Sequence, residues 1–311
     1  MKKVITMTLN PCIDRTVYME SFRVGETNVV RKTVEEAAGK GINVAVGLRH
    51  LDVPVKAMGF AYKEDKDRLY GKLEAEQIAY SFVEVEGHLR VNQKLFDESK
   101  AEMTECNEKG APVRKEDMDR LLEILQDELT DASILVLSGS VPPGVDKSIY
   151  AKMVSMGNEM GVKVILDANG EMLKEGVKAK PYLIKPNWEE FERTFFGEKD
   201  IADSEPEESV IDICDSLLLE GLSYICLSLG AEGAMLVSRK ANITTDAGQT
   251  VIIDRRPAIP VTIRSLQGAG DAMVAGLCKA IYEKREDKML EYALTMAAST
   301  ISLEGTVMGK I

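Results

Sequence analysis

Gly268, Ala269, Gly270 and Asp271 lead straight into a segment of helical period, and their types suit phosphate chemistry. Small residues let a backbone approach a ligand closely, and the first N–H groups of a helix lack internal partners. With the helix dipole they make a site for a phosphate or a developing negative charge. A carboxylate beside such a site repels an anion. Asp271 therefore makes chemical sense as a base that takes a proton from an attacking hydroxyl. An Asp capping an ordinary helix is the alternative.

Further candidates recur along the chain. Ser228, Leu229, Gly230, Ala231, Glu232 and Gly233 lie between two strand-like runs. They can hold a nucleotide through main-chain contacts, or form a tight turn with a surface Glu232. Ala38, Gly39, Lys40, Gly41, Ile42 and Asn43 lead into a helix. The flanking glycines leave the Lys40 ammonium uncrowded, and the spacing is not that of a Walker A loop. Asn10, Pro11, Cys12, Ile13 and Asp14 end the first strand, where open α/β sheets bind ligands, unless they are only a polar turn. Pro186 keeps Lys185 extended, and Asn187 can cap the next helix. Glu190 either completes a capping box or helps organise magnesium and phosphate. Residues 138–144, beginning at Ser138, form another strand-end turn of small residues. His50 and His88 are the only histidines, which leaves little material for a histidine-based triad. Cys12, Trp188 and the methionines 153, 156 and 160 read as packing residues.

The elements that position these residues alternate. Apolar, β-branched runs at 4–9, 55–60, 134–137, 162–166, 182–184, 224–229 and 234–237 read as strands, several of them buried on both faces. Between them, 66–78, 115–129, 147–160, 187–196, 207–220, 271–284 and 288–301 read as helices. In 115–129, Met118, Leu121, Leu122, Leu125 and Leu129 repeat as one buried stripe. Such alternation predicts one α/β domain over 1–311, a doubly wound, mostly parallel sheet flanked by helices. Residues 12–36 and 81–106 break the rhythm and are expected to form a small antiparallel β-sheet lid over the C-terminal edge of the strands. The acidic stretch 200–208 is expected to be a solvated loop.

Composition narrows the function. Acidic residues outnumber basic ones, 51 to 39, for a net charge of −12. That balance argues against general affinity for nucleic acid or anionic lipid, while leaving room for a local basic pocket. No window holds the roughly 18 apolar residues of a membrane helix. The first residues mimic a signal peptide only briefly before Asn10, Pro11 and Asp14 interrupt them. Five cysteines without a C-x-x-C pair argue against a disulfide framework or structural zinc and for a reducing cytoplasm.

Taken in order, the motifs resemble the ribokinase-like sugar kinases of the phosphofructokinase-B family, over essentially the whole chain. Residues 8–11, 39–44, 90–92 and 138–142 look most like the branch that phosphorylates sugar phosphates, which includes 1-phosphofructokinase and tagatose-6-phosphate kinase. Residues 185–187, 228–233 and 268–271 are similar to the signature at the nucleotide side. Ala38, Ala61 with Tyr62, Leu89, and residues 265–267 ending in Gln267 depart from the pattern.

The resemblance implies a division of labour, with ATP and Mg2+ as cofactors and a small sugar phosphate as partner. Asp271 would be the base, and the amides of 268–270 the anion hole. Ser228, Gly230, Ala231, Glu232 and Gly233 would line the ATP site. Lys185, Asn187 and Glu190 would act near the phosphates and magnesium, Glu190 indirectly. Asp14, Gly39, Asn43 and Ser138 would meet the sugar, and Lys40 and Arg90 the phosphate it already carries. Phosphoryl transfer needs such donors, a metal and a base, and a lid that excludes water. The expected reaction is ATP-dependent phosphorylation of a ketohexose monophosphate, fructose 1-phosphate before tagatose 6-phosphate. A kinase for a free sugar or nucleoside, or a silent sugar-phosphate binder, are the alternatives. No G-x-G-x-x-G follows the first strand, against a dinucleotide-dependent dehydrogenase. A monomer or homodimer is expected.

Overall fold

The apolar runs become strands and the periodic segments helices in the computed structural model, which describes residues 2–197, 207–239, 251–303, 305 and 307–310. The chain opens with β1 (Lys3–Thr8), β2 (Cys12–Met19), β3 (Lys32–Ala38), α1 (Lys40–His50), β4 (Val55–Tyr62), α2 (Lys66–Ala75) and β5 (Ala79–Val85). It continues through β6 (Arg90–Asp97), β7 (Glu102–Asn107), α3 (Lys115–Leu129), β8 (Ala132–Ser138), α4 (Ile149–Glu159), β9 (Lys163–Asp167) and α5 (Gly170–Lys178). Then come β10 (Leu183–Ile184), α6 (Trp188–Phe195), α7 (Glu207–Glu220), β11 (Tyr224–Ser228), β12 (Ala234–Arg239), β13 (Val251–Arg256), α8 (Ala269–Tyr282) and α9 (Met289–Ile301).

Nine strands form one sheet in the order β13-β12-β11-β10-β9-β8-β1-β4-β5. From β11 to β5 every pairing is parallel, and only the β11–β12 and β12–β13 pairings at one edge are antiparallel. Strand alternation splits the core between two faces. Ile5, Met7, Leu135 and Leu137 pack with α3 to α7, whereas Val4, Ile134 and Val136 pack with α1, α2, α8 and α9. The stripe of α3 is buried at all five positions named above.

A second sheet has the order β3-β2-β6-β7. Its outer pairs are antiparallel, but β2 and β6 pair in parallel, with Cys12 opposite Arg90, Asp14 opposite Asn92 and Thr16 opposite Lys94. Two hairpins dock through their first strands, so the fully antiparallel expectation holds only within each hairpin. Residues 81–85, expected in this sheet, belong to β5 at the edge of the large one. There β4, α2 and β5 make a crossover unit, which continues the main rhythm.

Two elements escaped the sequence reading. Helix α5 is short and holds Gly176, where a Cβ would stand 2.4 Å from Leu166 Cδ2. A glycine that reads as a breaker there permits close helix-to-strand packing. Strand β13 lies at the edge and is largely exposed, so its hydrophobic alternation is weak. Of the acidic stretch, residues 200–206 lie outside the described residues, while Glu207 and Glu208 begin α7. Among the described residues no helix is long and apolar enough to cross a membrane.

Candidate active site

Strands β1, β8 and β9 end side by side, and β1 is where the chain order changes direction. Ligands in open α/β sheets bind outside the strands' carboxyl ends at such a switch point. A cavity of about 790 Å³ lies there, between these ends and the small sheet. It gathers Asp14, Gly39, Lys40, Asn43, Arg90, Ser138, Gly268 and Asp271, residues of the expected site that lie far apart in the chain.

Asp271 sits in the first turn of α8 and is 6% exposed. The cap position belongs to Gly268, whose φ of 73° is left-handed, so Asp271 is not the helix cap. Its Oδ2 accepts a 2.8 Å hydrogen bond from Asn43 Nδ2. Burial pushes its pKa up to about 6, with Lys40 pulling the other way and Asp167 adding to the rise. Asn43 was expected to meet the sugar. Here it orients this carboxylate, while its own buried Oδ1 has no hydrogen-bond partner among the described residues.

Asp167, at the end of β9, is one of the residues the sequence reading missed. It is 1% exposed and lies between two lysines, with Lys185 Nζ 3.2 Å from Oδ1 and Lys40 Nζ 3.4 Å from Oδ2. Ser138 Oγ donates to the same Oδ2 at 2.9 Å. Burial disfavours the Asp167 charge, but Lys185 and then Lys40 outweigh it and hold its pKa below the ordinary value. Asp167 in turn raises the pKa of Lys40, so that ammonium stays charged. A lone acid closing an apolar strand before Ala168, Asn169 and Gly170 was the available signal.

The glycines around Lys40 have a reason beyond freeing its ammonium. A Cβ on Gly41 would stand 2.4 Å from the Met7 carbonyl oxygen, so α1 can begin against β1 only with glycine there. This places Lys40 over the cavity. Lys185 follows β10 and reaches Gly270, lying 3.6 Å from where a Cβ would project. One buried carboxylate thereby holds a cation on the cavity side and another beside the start of α8.

The inner face of the small sheet supplies the opposite wall. Because β2 and β6 are in parallel register, residues 12, 14, 90, 92 and 94 share a face. Asp14 Oδ2 accepts from Lys94 Nζ at 2.8 Å, and its Oδ1 accepts from Asn92 Nδ2 at 3.0 Å. Arg90 donates through Nε to the Asn10 carbonyl oxygen at 3.2 Å and through a terminal nitrogen to Asn92 Oδ1 at 2.7 Å. Lys94 was missed, although its spacing from residues 90 and 92 is strand-like. Cys12 lies on this wall, and burial foremost, then Asp14, pushes its thiol pKa up to about 12. A thiol so held is not a nucleophile.

The remaining expected residues lie outside the cavity lining. Asn187 caps α6, accepting from Glu190 N at 2.7 Å, while Glu190 Oε2 accepts from Asn187 N at 3.0 Å. This is a complete capping box, one of the two readings left open. Asn187 also bridges to Ser228 beside it. Residues 230–232 form a 3₁₀ turn, and exposed Glu232 pairs with Arg255 at 2.7 Å. Ala269 and Gly270 begin α8 next to Lys185. Among the described residues no three His, Cys, Asp or Glu side chains cluster as a metal cage. Mg2+ held mainly by substrate phosphates and water asks for no such cage.

Residues 7–309 match the family model described as pfkB family carbohydrate kinase. The 1-phosphofructokinase of Escherichia coli is 33% identical over 303 residues, 97% of this chain and 90% of that protein. Phosphofructokinase-2 from Escherichia coli, solved in complex with substrates and products, superposes with a TM-score of 0.87 at 25% identity, covering 99% of this chain and 95% of that one. A ribokinase from Arabidopsis thaliana complexed with ribose and ATP has the same fold, with a TM-score of 0.76 at 20% identity over 98% of this chain and 94% of that one.

Proposed function

The chain belongs to the pfkB family of carbohydrate kinases, and from that premise we propose that it phosphorylates a ketohexose monophosphate to the bisphosphate with ATP as donor, fructose 1-phosphate ahead of tagatose 6-phosphate. It is a phosphotransferase acting on an alcohol group. The observation that carries the finer reading is the convergence of Asp271, Lys40 and Arg90 on one cavity. A free sugar has no use for two cations, whereas a sugar phosphate does.

In this reading Asp14 accepts from sugar hydroxyls, its orientation fixed by Lys94 and Asn92. Lys40 and Arg90 hold the phosphate already present. Asp271, held by Asn43, takes the proton of the attacking hydroxyl as the hydroxyl oxygen bonds to the γ-phosphorus of ATP and the bond from that phosphorus to the departing ADP oxygen breaks. The amides opening α8, with Lys185 beside them, face the charge that develops on the transferred group. Magnesium, when bound, neutralises phosphate charge, and Glu190 with the phosphates would hold it. Ser228 and the 230–233 turn would flank the nucleotide, and the small sheet would serve as lid, excluding water. A cytoplasmic monomer or homodimer completes this reading.

A panel of sugars and sugar phosphates with ATP and magnesium, read by ADP release, tests this. Fructose 1-phosphate should give the highest kcat/KM. Asp271→Asn should lower kcat by about 10³-fold or more with sugar-phosphate binding kept. Lys40→Ala and Arg90→Ala should chiefly raise KM for the phosphorylated sugar. A free sugar outperforming every sugar phosphate would overturn the reading.

A further inference from the structure

Lys94 is 6% exposed, and an ammonium so enclosed needs partners for its charge and donors. One is Asp14. The other is Gln267, whose Oε1 accepts from Lys94 Nζ at 3.0 Å. The amide nitrogen of the Gln267 side chain meets Met103 Sδ on β7 at 3.3 Å. The Gln267 side chain is thus gripped by two strands of the small sheet. Its main chain runs directly into Gly268, whose left-handed turn aims the first amides of α8. One residue has its head in one wall of the cavity and its backbone in the other.

We infer that Gln267 is a positioning residue, a latch through which Lys94 couples sugar capture at Asp14 to the setting of the anion hole; the inference rests on the kinase reading above. Asp14 has one oxygen on Asn92 and the other on Lys94, so a sugar hydroxyl that shifts its carboxylate shifts the ammonium with it. Lys94 passes that shift to the Gln267 side-chain carbonyl, and the peptide joining 267 to 268 responds. The bonded arrangement is already present without sugar, and a hydroxyl on Asp14 strengthens it against opening. The amides are then held most firmly toward the transferred group when an acceptor alcohol is in place, and ADP release without sugar stays low.

The test is a double-variant cycle with Gln267→Met, Lys94→Met and both together, in the full chain. Methionine keeps the length of glutamine and removes the acceptor. Gln267→Met should lower kcat about tenfold. KM for the sugar phosphate should move by less than about threefold, because residue 267 positions the anion hole rather than the sugar. The ratio of sugar-independent to sugar-dependent ADP release should rise. The double variant should be no worse than Lys94→Met alone. Should Lys94→Met fail to fold, Gln267→Met decides alone through its kcat and its ratio of sugar-independent to sugar-dependent ADP release. Wild-type kcat in Gln267→Met, or a double variant that loses the product of the two single effects, overturns the latch. A wild-type protein inactive on every ketohexose phosphate would instead sink the kinase reading. The latch is then decided by amide hydrogen exchange without ligand: faster exchange across 12–17 and 90–95 in Gln267→Met supports it, and unchanged exchange rejects it.

Discussion

A base that works near neutral pH must have a pKa close to the working pH. Burial raises the pKa of Asp271, the base proposed above, in that direction, and the same burial opposes folding. Its folded pKa of about 6 lies above the ordinary 3.8, so the folded state binds more protons between these values. The stabilising contribution is therefore complete below pH 3.8 and is lost as pH rises through 6. Above that, the ionised carboxylate costs up to about 3 kcal/mol. Asp271→Asn keeps an acceptor for Asn43 and removes the charge. Its urea midpoint at pH 7.5 should exceed that of the wild type, by a margin that shrinks toward pH 4. Equal midpoints at both pH values would mean that burial does not set this pKa. In kinetics, log kcat/KM should rise with pH up to about 6 and then level. Lys40 is the strongest influence lowering the Asp271 pKa, so Lys40→Met should move that limb to higher pH. An unmoved limb would separate the two residues. The place of Asp271 in the cavity was legible because small residues and a helix start suggest an anion site. The sequence left Asp167 and Lys94 illegible because their roles come from partners far away in the chain, Lys40 and Lys185 for one and Asp14 and Gln267 for the other.

Elements carry these groups, and legibility there follows periodicity. Helix α3 was readable because five apolar residues on one face meet the core, a pattern local to the segment. The parallel pairing of β2 with β6 was not, because register between strands about 80 residues apart has no local signature. Glycines mislead in both directions. In α1, Gly41 is required by the Met7 carbonyl, whereas Gly71 in α2 is exposed, and a methyl group added there would find nothing within 4 Å. Gly71→Ala should stabilise the protein by about 0.5–1 kcal/mol through helix propensity alone. Gly41→Ala should destabilise it by about 1–3 kcal/mol through overpacking. It should also lower kcat/KM, since Lys40 and Asn43 ride on the displaced helix. Thermal melts with steady-state kinetics on both variants check the pair. If Gly41→Ala matched Gly71→Ala in stability and left turnover intact, the packing of α1 on β1 would not position the site.

At the scale of the whole molecule, the alternation of strand and helix runs is what made the fold legible, and several of the motifs close a strand of the same sheet. The convergence of Asp14, Lys40, Ser138 and Asp271 on the switch point at β1 follows from topology rather than from any one motif. The cavity is bounded by both sheets, so a ligand within it ties the small sheet to the large one. A sugar phosphate present at about 100 times its Kd should add about 2.7 kcal/mol to the folded state. For a chain of this length that corresponds to a midpoint rise of roughly 5 °C. Because Arg90 and Asp14 lie on the small sheet while Lys40 and Asp271 lie on helices packed against the large one, the rise should appear as one sharper transition of the entire chain. In Arg90→Ala, the same sugar-phosphate concentration should give a smaller rise, because less of the protein is ligated. Should calorimetry resolve two transitions and sugar phosphate move only one, the sheets would be binding independently. The chemistry would then have to be assigned to one wall of the cavity alone.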